Sequence, residues 1–173
     1  METIQGKGET SLLAPLFEAR LQYQSDMGEV VSAAAREGEL IGSGDGTVTG
    51  ELLSGKARWS MYAANCAYVF VRAGLLLPPG QQLCTVHPAG VIETPDGAQI
   101  WFDAKGYGLR GANQSRPHLW VLTMAVQFTT TDRRYQWLNS TLGVLVSEFD
   151  EHASPALWRA FIPTAESQDI RPR

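Results

Sequence analysis

The sequence predicts a single, mostly antiparallel β domain, either a sandwich or a barrel. Three observations carry this. Stretches with alternating or β-branched character recur along the chain at 16–24, 47–53, 57–61, 67–72, 90–94, 99–107, 119–131 and 143–149, with turn residues between them. The 17 glycines and 9 prolines are spread evenly rather than pooled in one linker, so no domain boundary shows and no repeat emerges. The segment Thr94-Pro95-Asp96-Gly97-Ala98 is a hairpin turn with a mechanism: Pro pre-sets one dihedral and Gly accepts positive φ.

The chain is read as one domain over 1–173, with 1–11 and 163–173 as flexible termini. Hydrophobic residues make up 44% and charged residues 18%, an ordinary globular balance. The net charge of −4, with no basic stripe, repels phosphate backbones and excludes generic nucleic-acid binding. Residues 1–11 lack the apolar stretch of a secretory signal, and the apolar run at 69–77 is too short for a bilayer and interrupted by Arg72. A cytoplasmic protein without membrane partners is expected, and Cys66 and Cys84 fit as two buried, chemically idle thiols.

Taken in chain order, 29–37 combines Val30, Val31 and an alanine triplet in a short helical pattern without a clear cap, and helix or strand stays open. Gly42-Ser43-Gly44-Asp45-Gly46 reads as a flexible turn or bulge between strands. A dinucleotide fingerprint would need a third glycine three positions on and a helix, and β-forming Thr47-Val48-Thr49 follows instead. Gly50-Glu51-Leu52-Leu53-Ser54-Gly55-Lys56 has the spacing of a phosphate loop. It is followed by Ala57 where a hydroxyl is required, and by strand rather than helix.

The hairpin register can be argued. A three-residue loop pairs Thr94 with Ala98 and puts Gly90, Ile92, Ala98, Ile100 and Phe102 on one nearly apolar face. Val91, Glu93, Gln99, Trp101 and Asp103 share the other, mixed face. Alternation in Tyr135-Gln136-Trp137-Leu138-Asn139 puts Tyr135, Trp137 and Asn139 on one side of a strand. Ser154-Pro155 suits the start of a helix over 156–161, yet Leu157, Arg159 and Phe161 also alternate as a strand would. His87, beside Pro88, and His118, beside Pro117, are read in turns; with His152 they supply no metal-ligand spacing, so no metal or cofactor is expected.

What remains as chemistry is an aromatic and polar set. Trp59, Trp101, Tyr135 and Trp137, with Arg58 and Asn139 as polar handles, have the composition of a small-molecule pocket. Trp158, near the C-terminus, is expected outside it. Glu93 and Asp103, sharing a face with Trp101, are the acid–base candidates, since neighbouring carboxylates beside an aromatic ring have their pKa values pushed apart.

The order of Gly44-Asp45-Gly46-Thr47-Val48-Thr49-Gly50, Gly55-Lys56-Ala57-Arg58-Trp59, Gly90-Val91-Ile92-Glu93-Thr94-Pro95-Asp96-Gly97-Ala98-Gln99-Ile100 and Tyr135-Gln136-Trp137-Leu138-Asn139 resembles the family known as domain of unknown function 3237. The resemblance spans about 13–149. It implies a closed antiparallel barrel of the lipocalin or streptavidin kind, often self-associating, so a homodimer is expected. It implies no catalytic residues.

The fold expected is thus an all-β closed antiparallel barrel of roughly eight strands. The function expected is binding of a small, largely apolar organic molecule, aromatic or polyketide-like, inside it. The alternative is a cofactor-independent lyase, isomerase or cyclase on the same barrel, working through Glu93 or Asp103. A third reading is an interaction protein using exposed tryptophans.

Overall fold

A computed structural model describes residues 12–23, 39–65, 81–111, 115–116, 119–150 and 153–164. Among them eight strands run antiparallel in sequence order and close into a barrel. They are β1 (Leu13–Tyr23), β2 (Glu39–Thr49), β3 (Gly55–Asn65), β4 (Gln82–Glu93), β5 (Gln99–Arg110), β6 (Leu119–Thr129), β7 (Leu142–Asp150) and β8 (Ala153–Pro163). A 3-10 helix, η1 (Arg133–Ser140), connects β6 to β7. Every strand pairs with its sequence neighbours and β8 returns to β1, the up-and-down plan that leaves no sheet edge.

The hairpin register is as the sequence predicts. Glu93 lies opposite Gln99, Ile92 opposite Ile100 and Gly90 opposite Phe102. Thr94 closes the turn, its N–H donating to the Ala98 carbonyl (3.0 Å) while its Oγ1 accepts from the Ala98 N–H (2.9 Å). Gly97 takes φ +84°, the left-handed conformation that this turn position demands.

Barrel closure makes the apolar face of each strand the interior. Leu16, Leu21, Ile92, Ile100, Met124, Leu145 and Ile162 are almost wholly buried there. The pattern on β5 and β6 alternates buried and exposed residue by residue, as one wet and one dry face require.

Several sequence expectations are corrected, and one open alternative is resolved. Gly42–Gly46 is not a turn but the middle of β2, and the strand expected at 47–53 ends at Thr49. Segment 135–139 is η1, not a strand: Asp132 caps it, accepting from the Arg134 N–H (3.0 Å), and its apolar Leu138 is the buried member. His87 and Pro88 sit inside β4 rather than in a turn. Segment 156–161 resolves as strand, within β8, and Pro163 is still part of that strand rather than of a free terminus. The segments 29–37 and 67–72, together with Cys66, His118 and His152, lie outside the described residues.

The glycines of β2 have a tertiary reason. In the register Gly44–Trp59–Gly90–Phe102, each large ring is flanked by a residue without a side chain. A Cβ on Gly44 would stand 1.8 Å from the Gln22 carbonyl oxygen and 3.0 Å from the Trp59 ring. A Cβ on Gly90 would lie 2.9 Å from the Phe102 ring. Glycine is selected here for close approach, not for a bend.

Candidate functional site

The barrel interior falls into three zones. At the end carrying η1, Leu138 is fully buried and Leu53, from the β2–β3 connection, is 1% exposed. The Asn139 carboxamide grips Thr130 in both directions, accepting from its N–H (2.8 Å) and donating to its carbonyl (3.0 Å). Arg134 bridges Asp96 of the β4–β5 turn (2.5 Å) and Asp132 (2.7 Å). Hydrogen bonds from the Arg134 side chain and then from its backbone N–H hold the Asp132 carboxyl down at about 2. The Thr94 hydroxyl first, with Arg134 assisting, lowers Asp96. This end is a plug, fastened by polar contacts on its outer side.

The middle zone is filled by aromatic rings. Trp59 and Trp158 lie 5.7 Å apart between centroids, and Phe102 meets Trp158 edge-on at 6.3 Å. Between Phe102 and Trp158 on one side and Phe17, Val48, Val126 and Leu145 on the other remains an apolar cavity of about 10 Å³. That is room for about one water molecule, in a wall with nothing to hold it. No organic ligand fits there.

The third zone is the end away from η1. Reading across the barrel wall, the inward row Cys84–Gly108–Leu122–Ser147–Trp158 mixes small residues with one aromatic. A Cβ on Gly108 would meet the Cys84 sulfur at 2.8 Å and the Trp120 ring at 3.3 Å, so the row is closely set. Cys84 is a buried thiol outside any disulfide. Ser147 is 1% exposed, and its Oγ is buried with no hydrogen-bond partner. One pleat further out, Arg110, Trp120 and Phe149 are register partners across β5, β6 and β7. The Arg110 guanidinium lies 5.3 Å from the centre of the Trp120 ring, and Trp120 and Phe149 pack against the core.

The residues singled out in the sequence are placed as follows. Trp59 faces the lumen, 4% exposed. Trp158, expected outside the site, is its ring partner. Trp101 is 59% exposed on the outer wall, and Arg58 and Glu93 are exposed there too. Asp103 is also outside, bonded to His87 (2.7 Å), and lies opposite Ala89 whereas Glu93 lies opposite Gln99, so these carboxylates form no acid–base pair in the lumen. Tyr135, Trp137 and Asn139 belong to the plug, where the Tyr135 hydroxyl donates to Asp96 (3.3 Å) and Trp137 packs on the core. For Glu93, Trp101 and Asp103 the physical reason is common: the mixed hairpin face had to face water once the apolar face lined the barrel.

The residues that sequence reasoning missed are Ser147, Arg110 and Trp120. Ser147 is a hydroxyl in an inward position of an apolar alternation, Leu145-Val146-Ser147, and that phase was its only signal. Among the described residues no group of three or more His, Cys, Asp or Glu side chains is placed to hold a metal. No helix there is long and apolar enough to cross a membrane.

No protein-family model matches the sequence, and no curated protein is similar to it. Solved structures do resemble the fold. A protein of unknown function from Clostridium acetobutylicum ATCC 824 superposes with a TM-score of 0.65 at 14% identity, over 87% of this chain and 95% of its own. A β-barrel-like protein from Acinetobacter baumannii AYE gives 0.57 at 18% identity, over 90% and 99% of the two chains. An enzyme from Penicillium herquei gives 0.54 at 16% identity, over 87% and 92%. At these identities the likeness establishes the class, a closed antiparallel β-barrel, and carries no activity across.

Proposed function

We propose that this barrel binds a small, largely apolar organic molecule, aromatic or polyketide-like, in the lumen half that lies away from η1. The observation that carries the reading is Ser147: a buried hydroxyl, aimed into an apolar barrel, without a hydrogen-bond partner. Leaving such a group unsatisfied costs about 1–3 kcal/mol, which a ligand carrying a polar atom recovers. Small inward residues (Ala63, Cys84, Gly108) and flanking rings (Trp120, Phe149, Trp158) add the shape and composition of a pocket with few polar handles. The plugged opposite end supports entry from this side.

The alternative, a lyase, isomerase or cyclase, needs acid–base groups other than Glu93 and Asp103, both of which face outward. Self-association also belongs to this proposal. Trp101, Tyr107, Tyr62 and Val121 are exposed large side chains on the outer faces of β3, β5 and β6, a surface suited to a second copy. So does the domain of unknown function 3237 kinship, supported by the barrel itself, and a cytoplasmic setting, supported by the Cys84 thiol.

The test is a titration with N-phenylnaphthylamine, a neutral apolar aromatic, read by its emission and by tryptophan quenching. Saturable binding to the parent is expected, and Ala63→Leu, which fills the proposed half, should abolish it while circular dichroism stays β-dominated. Ser147→Ala should preserve binding of this probe, which has no strong acceptor for the hydroxyl. No saturable binding to the parent, or unchanged binding in a folded Ala63→Leu protein, refutes the reading.

A further inference from the structure

Resting on the self-association proposed above, we infer that two copies pack β5 against β5 across a two-fold axis at the level of Ala104, with Asp103 of each copy against Lys105 of the other. The outward residues of β5 read Trp101, Asp103, Lys105 and Tyr107: ring, acid, base, ring. Ala104, at their centre, points inward and is 0% exposed. A two-fold interface brings residue i to residue j and j to i, so it needs a surface that is its own complement. An axis in the contact plane, crossing the strand at Ala104, reverses the order along β5. It sets Trp101 against Tyr107 of the second copy and Asp103 against its Lys105, and repeats both pairs in the opposite sense. The two rings are 59% and 54% exposed, and the set spans roughly 20 Å of strand.

The strands on either side fit the same operation. Ala89 of β4 lies opposite Asp103, and Ala125 of β6 opposite Lys105, so a small side chain borders each charge. Val86 lies opposite Gly106, which puts His87 level with Lys105, and Gln127 is level with Asp103. The axis therefore sets each alanine against a longer side chain, Ala89 against His87 and Ala125 against Gln127. It opposes no acid to an acid and no lysine to a lysine. The exposed residues of β6 are Val121, Thr123, Ala125, Gln127 and Thr129, all uncharged, whereas the wall of β1 to β3 carries Glu18, Arg20, Asp45, Lys56 and Arg58. Depletion of charge around a few exposed rings is the composition of an interface centre. Asp103 engages His87 through Oδ1 at 2.7 Å, and Lys105 has no ion pair among the described residues. The acid keeps one oxygen, and the lysine all its donors, for the second copy.

Charge exchange followed by sedimentation velocity tests this geometry. The parent is expected to sediment as a dimer. Asp103→Lys opposes lysine to lysine at both contacts, and Lys105→Asp opposes acid to acid, so each should weaken the dimer about a hundredfold or more. Mixed in equal amounts, the two monomeric variants should form a heterodimer, because acid then meets lysine at every contact. The double exchange, Asp103→Lys with Lys105→Asp, should associate within about tenfold of the parent. If either single variant loses its β circular dichroism, Trp101→Lys and Tyr107→Glu take their place. Each should be monomeric alone and the two together dimeric, since the new lysine faces the new glutamate while the remaining rings still meet. Single variants that stay dimeric, or that stay monomeric when mixed, overturn the β5 pairing while self-association through another face stands. A parent that is monomeric at every concentration refutes self-association as well.

Discussion

Truncating Leu138 tests whether η1 is a structural plug. Leu138 is 0% exposed, the one fully buried residue of a helix whose Tyr135 and Trp137 are partly buried against the core. Leu138→Ala removes about three carbon groups from the interior, worth roughly 2.4 kcal/mol in transfer at about 0.8 kcal/mol each. A cavity term adds to this, because the surrounding wall is a closed, fully paired barrel that cannot collapse inward. The Asn139–Thr130 bonds on one side and the Arg134 bridge on the other hold η1 at its present height, which also opposes collapse. The total should therefore lie near the upper part of the range for such changes, about 3–4 kcal/mol. For a chain of this length that is a fall in melting temperature of roughly 6–16 °C. Urea unfolding followed by tryptophan emission and far-UV circular dichroism measures it, with an unchanged m value as the sign that only stability moved. A loss below about 1 kcal/mol would show that η1 lies loosely on the barrel and that the sealed end is not sealed.

The remaining predictions concern the wall, the plug and the surface. Gly44→Ala should destabilise the barrel strongly, by about 1–3 kcal/mol or more, because its Cβ would stand 1.8 Å from a β1 carbonyl oxygen; a stability equal to the parent in urea would refute the close-approach account. Asp132 is depressed from 3.8 to about 2 in the folded protein, so the stabilisation it gives is complete well above pH 3.8 and drains away as the pH falls through about 2. The urea midpoint of the parent should therefore drop between about pH 5 and pH 2 more steeply than that of Asp132→Asn, and parallel curves would contradict this. Trp101→Lys should shift the chain toward monomer in analytical ultracentrifugation without altering its circular dichroism; an unchanged sedimentation profile of an associating parent would place the contact elsewhere.

Sequence alone determined the β class, the order of most strands and the register of the Thr94–Ala98 hairpin. Those depend on local stereochemistry: a period of two along each strand, and a turn whose Pro and Gly admit few conformations. With one face of the hairpin apolar and the other mixed, even the choice of buried face followed from residues a few positions apart. Tertiary structure decided what local patterns leave degenerate. Gly42–Gly46 has the composition of a turn, yet it is strand, because the β1 backbone at Gln22 and the Trp59 ring approach Gly44 too closely for a Cβ, and neither neighbour is adjacent in sequence. Tyr135–Asn139 alternates like a strand but folds as η1, since Asp132 caps it and Leu138 buries itself with Tyr135 and Trp137 packed beside it on the core. Trp101 and Trp158 are alike as residues and opposite in fate. Closure of β8 onto β1 carries Trp158 to the ring of Trp59, while the same closure turns Trp101 to the outside. The site followed the same rule: Ser147 becomes a polar handle only because the closed sheet gives each strand an inside, a property that no single strand possesses.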